Sequence, residues 1–285
     1  MLTGRLGLEL ARVPHADRHG LLWLDRGNLT VESGCLRFVT AGGALDPGDY
    51  QIPHQSVSMI LLGPGSTISH DALRLLARHG TLMAAVGEGG VRLYTAPPMG
   101  PDRSELARRQ AGLWANPETR VDVARRMYAW RLGEVLPQRD IAALRGIEGA
   151  RMKESYRLVA NRFGVQWHGR RYDRANPTAA DLANQSINHA ATAVQAAAAI
   201  AVTSLSALPQ LGFIHEESDQ AFVLDIADLL RDKVTLPVAF AAAKEAEAGT
   251  ETIDRIVRRR VAATFRKEKV IPAMIDRIKD LLKAE

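Results

Sequence analysis

Residues 95–118 read TAPPMGPDRSELARRQAGLWANPE, and the pattern of the sequence changes within them. Three prolines lie between positions 97 and 101, which is typical of a linker because proline fits poorly into regular elements. The stretch ends in Asn116-Pro117, a helix start with Asn at the cap and Pro at the first helical position. We therefore expect the secondary structure before this stretch to differ from that after it.

The chain before the prolines has the pattern of strands joined by tight turns. Residues 29–39, LTVESGCLRFV, contain two apolar runs that meet at Ser33-Gly34, which predicts a hairpin. A helix is expected between a cap at Ser69 and a stop at Gly80. Further strands are predicted for the short runs 57–62, 81–86 and 91–95, of which the last two would form a hairpin.

The chain after the prolines has the helical period. Apolar residues at positions 152, 156, 159 and 163 are spaced as on one face of a helix, and Gly164 then ends the pattern. An Ala-rich helix is predicted for residues 183–206, and the C-terminal residues 271–282 repeat the helical spacing.

These patterns predict an α+β protein. We place a small N-terminal β-rich domain at residues 1–98 and a larger all-helical domain, which would carry the catalytic groups, at residues 99–285.

The composition excludes several classes of protein. The chain has 285 residues, of which 46% are hydrophobic and 24% charged, as in an ordinary folded protein. Its single cysteine, Cys35, excludes an internal disulfide framework and a Cys-rich zinc site. The longest apolar stretch, residues 190–202, is too short to span a bilayer. We therefore expect a protein of the reducing cytoplasm with no membrane partner.

The net charge of +5 is unevenly distributed along the chain. Residues 101–174 carry 16 basic and 9 acidic side chains, whereas residues 175–250 carry 3 basic and 9 acidic ones. The basic parts are rich in arginine, whose guanidinium binds phosphate oxygens well. An acidic segment can hold a divalent metal. Solvated helix faces of both signs would explain the same counts.

The strongest candidate for chemistry is residues 212–230, GFIHEESDQAFVLDIADLL. Asp225 and Asp228 are three residues apart and therefore share a helix face. Their neighbours are largely apolar, so two carboxylates there would repel each other unless a cation or hydrogen-bond donors compensate. Together with His215 they favour Mg²⁺ or Mn²⁺, because no thiolate accompanies them.

A second candidate is Glu148, in the segment LRGIEGAR between Gly146 and Gly149. We expect it near the start of a helix, where a carboxylate is favoured by the helix dipole alone. Glycines on both sides could also let a ligand approach the backbone.

Two basic segments are weaker candidates. Residues 167–172, WHGRRY, interleave aromatic and arginine side chains, as in sites that stack on a base, although an ordinary loop has the same composition. Residues 258–260 are three consecutive arginines, which often form a solvated helix face.

Three segments resemble one protein family: LRGIEGARMKESY (144–156), GVQWHGRRYD (164–173) and GFIHEESDQAFVLDIADLL (212–230). They are similar to the CRISPR-associated adaptation integrases, the first Cas protein, and in particular to the type I-E subgroup. Residues 56–94 and the segment QLGFIH strengthen the resemblance. It implies an N-terminal β-domain followed by a helical catalytic domain.

The resemblance also implies an activity and its residues. Such proteins join the 3′-OH ends of a short prespacer duplex to the CRISPR repeat by transesterification. Matching the motifs assigns the metal, Mg²⁺ or Mn²⁺, to Glu148, His215 and Asp228, with Asp225 as a further catalytic residue that supports the site. The residues expected to contact DNA are Arg92, Arg145, Arg170, Arg171, Tyr172, Arg231, Arg258 and Arg259.

The partners implied are DNA and other proteins. Family members form a homodimer, and two dimers flank a dimer of the second Cas adaptation protein in a heterohexamer. The DNA partners are double-stranded and branched: the prespacer and the repeat. This chain departs from the family pattern at Glu216-Glu217, where a basic residue and a proline are common, and at Arg231, which replaces a lysine.

Two other functions remain open from the residues alone. One is a stand-alone metal-dependent nuclease acting on branched or single-stranded DNA. The other is a non-catalytic DNA-binding scaffold in which the carboxylate cluster is structural.

Overall fold

The computed structural model describes residues 18, 20–95, 104–171 and 181–283. All strands in these ranges precede residue 96, and all helices but one short helix and a single 3₁₀ turn follow residue 103. The strands are β1 Leu21–Leu24, β2 Gly27–Glu32, β3 Cys35–Thr40, β4 Gly48–Ile52, β5 Met59–Leu62, β6 Thr67–Ile68, β7 Leu82–Val86 and β8 Leu93–Thr95. The helices are α1 His70–His79, α2 Glu105–Ala115, α3 Pro117–Leu132, α4 Ile141–Phe163, α5 Leu182–Ser204, α6 Ala221–Asp228, α7 Leu236–Ala248, α8 Ile253–Glu268 and α9 Val270–Leu282. The predicted fold class is confirmed.

The strands form two four-stranded sheets. The first has the order β1-β5-β7-β8, in which β1, β5 and β7 are parallel and β8 is antiparallel to β7. The second has the order β4-β3-β2-β6, and its β2–β3 hairpin turns at Ser33-Gly34 as predicted. The parallel strands need crossovers, and α1 is the crossover between β5 and β7.

The sequence of β5 explains why the first sheet lies in the middle of the molecule. All four of its residues, MILL, are buried. Met59 and Leu61 belong to the large hydrophobic cluster formed with the helices, whereas Ile60 and Leu62 belong to the smaller cluster under the second sheet. A continuous apolar run is what a strand covered on both faces requires.

The predicted helix boundaries are confirmed where capping residues mark them. The Ser69 side chain accepts a hydrogen bond from the Ala72 N–H, and Gly80 ends α1 at φ 64°. Asn116 caps α3 with Pro117 at the first helical position.

The position of Glu148 within its helix differs from the prediction. Helix α4 begins at Ile141, where Asp140 accepts a hydrogen bond from the Ala143 N–H, so Glu148 lies in the third turn. The helix dipole acts mainly on the first turn, and the expectation that it favours this carboxylate was therefore wrong.

Helix α5 is the centre of the helical region and contacts α6, α7, α8 and α9. Ala190, Ala197, Ala198 and Ala201 are fully buried along it. Small side chains let neighbouring helices approach closely, which explains the Ala-rich composition.

The predicted boundary between residues 98 and 99 lies outside the described residues, as do the prolines of the linker. Within the described residues, the first sheet and the helices share one hydrophobic cluster. No helix in these ranges is long and apolar enough to cross a membrane.

Burial of β5 leads to a stability prediction. Leu61→Ala removes a fully buried side chain and should lower the free energy of unfolding by about 2–5 kcal/mol. Leu158→Ala is the matched control, since Leu158 is 55% exposed and its loss should change the value by less than about 0.5 kcal/mol. Urea unfolding measures both, and equal losses would contradict this account of β5.

Candidate active site

Asp225 organises the segment that carries His215. Its carboxylate is fully buried in α6 and accepts hydrogen bonds from three consecutive backbone N–H groups. The distances are 2.6 Å from Phe213 N, 3.0 Å from Ile214 N and 2.9 Å from His215 N. The same carboxylate lies 2.7 Å from His215 Nδ1. Since a carboxylate accepts, Nδ1 carries the proton, and the lone pair of Nε2 is left for a ligand.

Two side chains of helix α2 bind the backbone of the same segment. The Gln110 side chain in α2 donates to the carbonyls of Leu208 and Leu211 at 2.9 Å and accepts from Leu208 N. Trp114 Nε1 donates to the Gly212 carbonyl at 2.9 Å. The position of His215 is thus fixed by hydrogen bonds to backbone atoms of the loop.

Two arginines, one in α3 and one in α4, also bind backbone carbonyls of this segment. Arg120 in α3 donates to the Phe213 carbonyl and forms an ion pair with Glu216, and its guanidinium stacks over Trp114. Arg145 in α4 donates to the Ile214 carbonyl. Glu216 therefore has a structural partner at the position where the family pattern has a basic residue.

A second cluster brings acidic residues together around one arginine. The side chain of Arg131 in α3 is only 4% exposed. Its Nη1 lies 2.7 Å from Glu148 Oε1 and 3.8 Å from Asp228 Oδ2, and its Nε lies 3.3 Å from Asp232 Oδ2. Arg231 forms a further ion pair with Asp228. Asp225 and Asp228 share a helix face but have different partners. Asp225 binds the backbone of the loop and His215, whereas Asp228 faces Arg131 and Arg231.

A small cavity joins the two clusters. It has a volume of about 10 Å³, close to the size of one water molecule, and Glu148, Asp225 and Asp228 line it. Tyr128 also lines it, and its buried hydroxyl has no hydrogen-bond partner among the residues that the structure describes. Burial, followed by the nearby Glu148 charge, raises the pKa of Tyr128. An unpaired buried hydroxyl is costly and indicates that a small polar group belongs there.

The residues fit an oxygen-preferring metal in their chemistry but are not gathered around a single point. Glu148 and Asp228 supply carboxylate oxygens, and His215 Nε2 supplies a nitrogen, as Mg²⁺ and Mn²⁺ accept. Within the described residues, no three His, Cys, Asp or Glu side chains come close enough to hold an ion. The cation between Glu148 and Asp228 here is the Arg131 guanidinium.

The predicted DNA contacts are spread over several elements. Arg92 and Arg258 both form ion pairs with Asp254, and Arg259 pairs with Glu245 and Glu251. Arg170 donates to the side-chain oxygens of Asn184 and Asn188, and the Arg171 backbone N–H also donates to Asn184.

The remaining candidates divide into two groups. Arg145 and Arg231 lie at the site itself, through the Ile214 carbonyl and Asp228 respectively. Tyr172 lies outside the described residues.

Trp167, the first aromatic residue of the segment 167–172, packs against other aromatic side chains of the protein. Trp167 stacks on Tyr156 with ring centroids 5.1 Å apart and meets Phe240 edge-on at 5.4 Å. Because both neighbours belong to the hydrophobic core, Trp167 is a packing residue, which favours the ordinary-loop interpretation over base stacking at this position.

Sequence reasoning missed Arg131, Asp232, Tyr128 and the Gln110–Trp114 pair. Asp232 had a signal, since it follows Asp228 by four residues, but the chain between α6 and α7 forms a π-helical turn that period analysis does not foresee. Arg131 had none, because its partners lie up to 101 residues away.

The β-rich region, the helical domain and the buried carboxylate–histidine centre are the features expected of a CRISPR-associated nuclease of the family that the motifs resemble. Comparison with known proteins gives the same class. The chain is 36% identical over 278 residues to the CRISPR-associated endonuclease Cas1 of Escherichia coli K12, a match that covers 97% of this chain and 89% of that protein. The solved structure of a TtCas1–DNA complex superposes with a TM-score of 0.84 at 32% identity, over 94% of this chain and 98% of the other. No protein-family model matches the sequence.

The chain therefore belongs to the Cas1 family. A casposase bound to its integration product shares the fold, with a TM-score of 0.66 over 93% of this chain and 96% of the other, at only 14% identity.

The Asp225–His215 pair leads to a prediction about protonation. The hydrogen bond that His215 donates to Asp225 raises the pKa of His215 above the ordinary value of 6.5, whereas burial lowers the pKa of His189 below it. A nuclear magnetic resonance titration of the imidazoles should therefore show His189 losing its proton at lower pH than His215. Asp225→Asn should lower the pKa of His215 and leave that of His189 unchanged.

The sign of the linked stability change follows from the same shift. A raised pKa contributes stability below pH 6.5, which is lost as the pH rises through the pKa of folded His215. The part of the Asp225→Asn destabilisation that depends on pH should therefore be largest below pH 6.5. A His215 that titrates below 6.5 in the wild-type protein would contradict the assigned contact.

The close backbone contact at Gly212 leads to a prediction that compares it with a glycine in open space. A Cβ at Gly212 would lie 2.5 Å from the His215 carbonyl oxygen and 2.7 Å from Ala221 C, so Gly212→Ala should cost about 1–3 kcal/mol in unfolding free energy. A Cβ at Gly149, inside α4, meets nothing within 4 Å, and Gly149→Ala should stabilise by about 0.5–1 kcal/mol. Thermal unfolding compares them, and a neutral Gly212→Ala would contradict the close approach.

Proposed function

We propose that this protein is a metal-dependent DNA endonuclease and integrase that inserts prespacer DNA into a CRISPR repeat array. The observation that supports it most is the small cavity lined by Glu148, Asp228 and Asp225, of which Asp225 is hydrogen-bonded to His215. Buried carboxylates beside an oriented imidazole make a site for a divalent cation, and the family relationship supplies the substrate class.

The proposed reaction is a transesterification. A prespacer 3′-OH gives up its proton and forms a new bond to a phosphorus of the repeat, while the bond from that phosphorus to its leaving oxygen breaks and that oxygen takes up a proton, so that one phosphodiester replaces another. Mg²⁺ or Mn²⁺, when bound, would polarise the phosphate and stabilise charge on the leaving oxygen.

The roles of this chain's own residues follow from their contacts. Glu148, Asp228 and His215 Nε2 would hold the metal. Asp225 is a positioning residue, because its carboxylate fixes the backbone of the loop and the tautomer of His215. The Tyr128 hydroxyl lines the cavity and has no partner within the described ranges, so it can donate a hydrogen bond to a phosphate oxygen or a water there.

DNA is the proposed macromolecular partner. The solved TtCas1–DNA complex supports it, since it matches nearly the whole chain. Arg92, Arg170, Arg171, Tyr172, Arg258 and Arg259 are proposed contacts to the DNA backbone, as are Arg145 and Arg231 nearer the site. The arginines of this set that the structure describes already contact Asp, Glu, Asn or backbone oxygens, so DNA phosphates would have to compete for them.

The assembly and location extend the same proposal. The protein would act in the cytoplasm as a homodimer, two of which flank a dimer of the second Cas adaptation protein.

A joining assay tests the proposal with a matched pair on one helix. Glu148→Gln removes the charge of the proposed ligand and should lower joining of a prespacer oligonucleotide to supercoiled repeat DNA by at least about 100-fold. Glu154→Gln is the control, since Glu154 lies on the same α4 helix, is exposed and pairs only with Arg157 among the described residues. It should retain wild-type joining.

The other outcomes separate the alternatives. Cleavage without joining, even when the second Cas adaptation protein is present, would identify a stand-alone nuclease. DNA binding with neither reaction, and with no response to Mg²⁺ or Mn²⁺, would identify a scaffold. Joining by Glu148→Gln at the wild-type rate would remove the site assignment.

A further inference from the structure

Arg131 is held by carboxylates on both ends of its guanidinium. Nη1 faces Glu148 at 2.7 Å and Asp228 at 3.8 Å, and Nε faces Asp232 at 3.3 Å. The side chain is 4% exposed, and Nη2 contacts Met152 Sδ. Within the described part of the chain, Arg131 is the one ion-pair partner of Glu148.

Electrostatics explains why this arginine is required when the metal is absent. Glu148 and Asp228 are mostly buried, with side chains 18% and 17% exposed, and would repel each other without a cation. Among the described residues, Arg231 forms its ion pair with Asp228 and none with Glu148. The Arg131 guanidinium thus compensates the charge that a divalent metal would otherwise compensate.

The same cation cannot stay there when a metal binds. A metal held by Glu148 and Asp228 would lie within a few ångströms of Nη1, and like charges at that distance repel strongly in a buried site. Asp232 binds a different edge of the guanidinium, through Nε, and can retain Arg131 while Nη1 releases the other two carboxylates.

We infer that Arg131 is the resident counter-ion of the site, which Mg²⁺ or Mn²⁺ must displace from Glu148 and Asp228. Arg131 therefore lowers the affinity for metal and stabilises the metal-free protein, and Asp232 anchors it in both states. This inference rests on the proposed metal dependence and adds a residue that opposes metal binding.

Mn²⁺ binding to the full-length protein tests it without any measurement of activity. Arg131→Met keeps most of the side-chain volume and removes the charge, and it should bind Mn²⁺ at least about 10-fold more tightly than wild type in an electron paramagnetic resonance titration. Arg125→Met is the matched control, because Arg125 lies on the same helix and contacts Asp122 and the Leu136 carbonyl instead. Its Mn²⁺ affinity should equal that of wild type.

Thermal unfolding provides a second readout. Without metal, Arg131→Met should have a lower melting temperature than wild type, since the charges of Glu148 and Asp228 lose their shared cation. Mn²⁺ should raise the melting temperature of this variant more than that of wild type. If Arg131→Met folds only when Mn²⁺ is present, that result supports the inference. If it does not fold at all, Arg131→Lys decides: it keeps a charge but cannot bridge three carboxylates, and it should bind Mn²⁺ more tightly than wild type.

The outcomes distinguish this inference from the function on which it rests. Wild type that binds Mn²⁺, with Arg131→Met binding equally or more weakly, would overturn the counter-ion role alone. Absence of Mn²⁺ binding in both proteins would overturn the metal proposal and this inference together. Binding by Arg131→Met but not by wild type would support the inference.

Discussion

The hydrogen bonds to Asp225 are the contact on which the site depends. One fully buried carboxylate accepts three successive backbone N–H groups and the His215 imidazole. A buried carboxylate without such donors would be costly, so the loop before α6 has to fold back onto the helix. That fold-back brings His215 to the same side of the molecule as Asp228, and it leaves the loop carbonyls free to be bound from α2, α3 and α4.

Those outer contacts connect the site to the rest of the fold. Gln110 and Trp114 bind the carbonyls before the histidine, and Arg120 and Arg145 bind those beside it. Each of these side chains comes from a helix that also packs into the large hydrophobic cluster. Packing in the core shared with the first sheet therefore fixes the helices, and hydrogen bonds from the helices fix the loop. The loop in turn positions the imidazole of His215.

The charges of the site are only partly balanced within the chain. Glu148, Asp228 and Asp232 are opposed by Arg131 and Arg231, and Asp225 is opposed by His215 and backbone dipoles. Such a buried network adds little stability compared with apolar packing, which favours a functional reason for it. The Tyr128 hydroxyl, which has no partner in the described part of the chain, agrees, because a purely structural core would not leave it so.

Much of the fold could be predicted from local signals, and the site only in part. Capping residues at Ser69 and Asn116 and the apolar run of β5 act over a few neighbouring residues, so the sequence shows them directly. The motifs around Glu148, His215 and Asp228 identified the candidate ligands in the same way.

The contacts that sequence could not show are those between distant segments. Trp167 carries the same pattern whether it faces DNA or the core, and only the positions of Tyr156 and Phe240 decide. Arg131 looks in the sequence like any other arginine of a helix, and only the positions of α4 and the π-helical turn bring three carboxylates to it.

One measurement tests the central claim most directly: a crystal of the full-length protein grown with Mn²⁺ and recorded at the manganese absorption edge. We expect a single strong anomalous peak bonded to Glu148, His215 Nε2 and Asp228, with the Arg131 guanidinium withdrawn towards Asp232. No peak at these residues, with Arg131 still bound to Glu148 at saturating Mn²⁺, would contradict it.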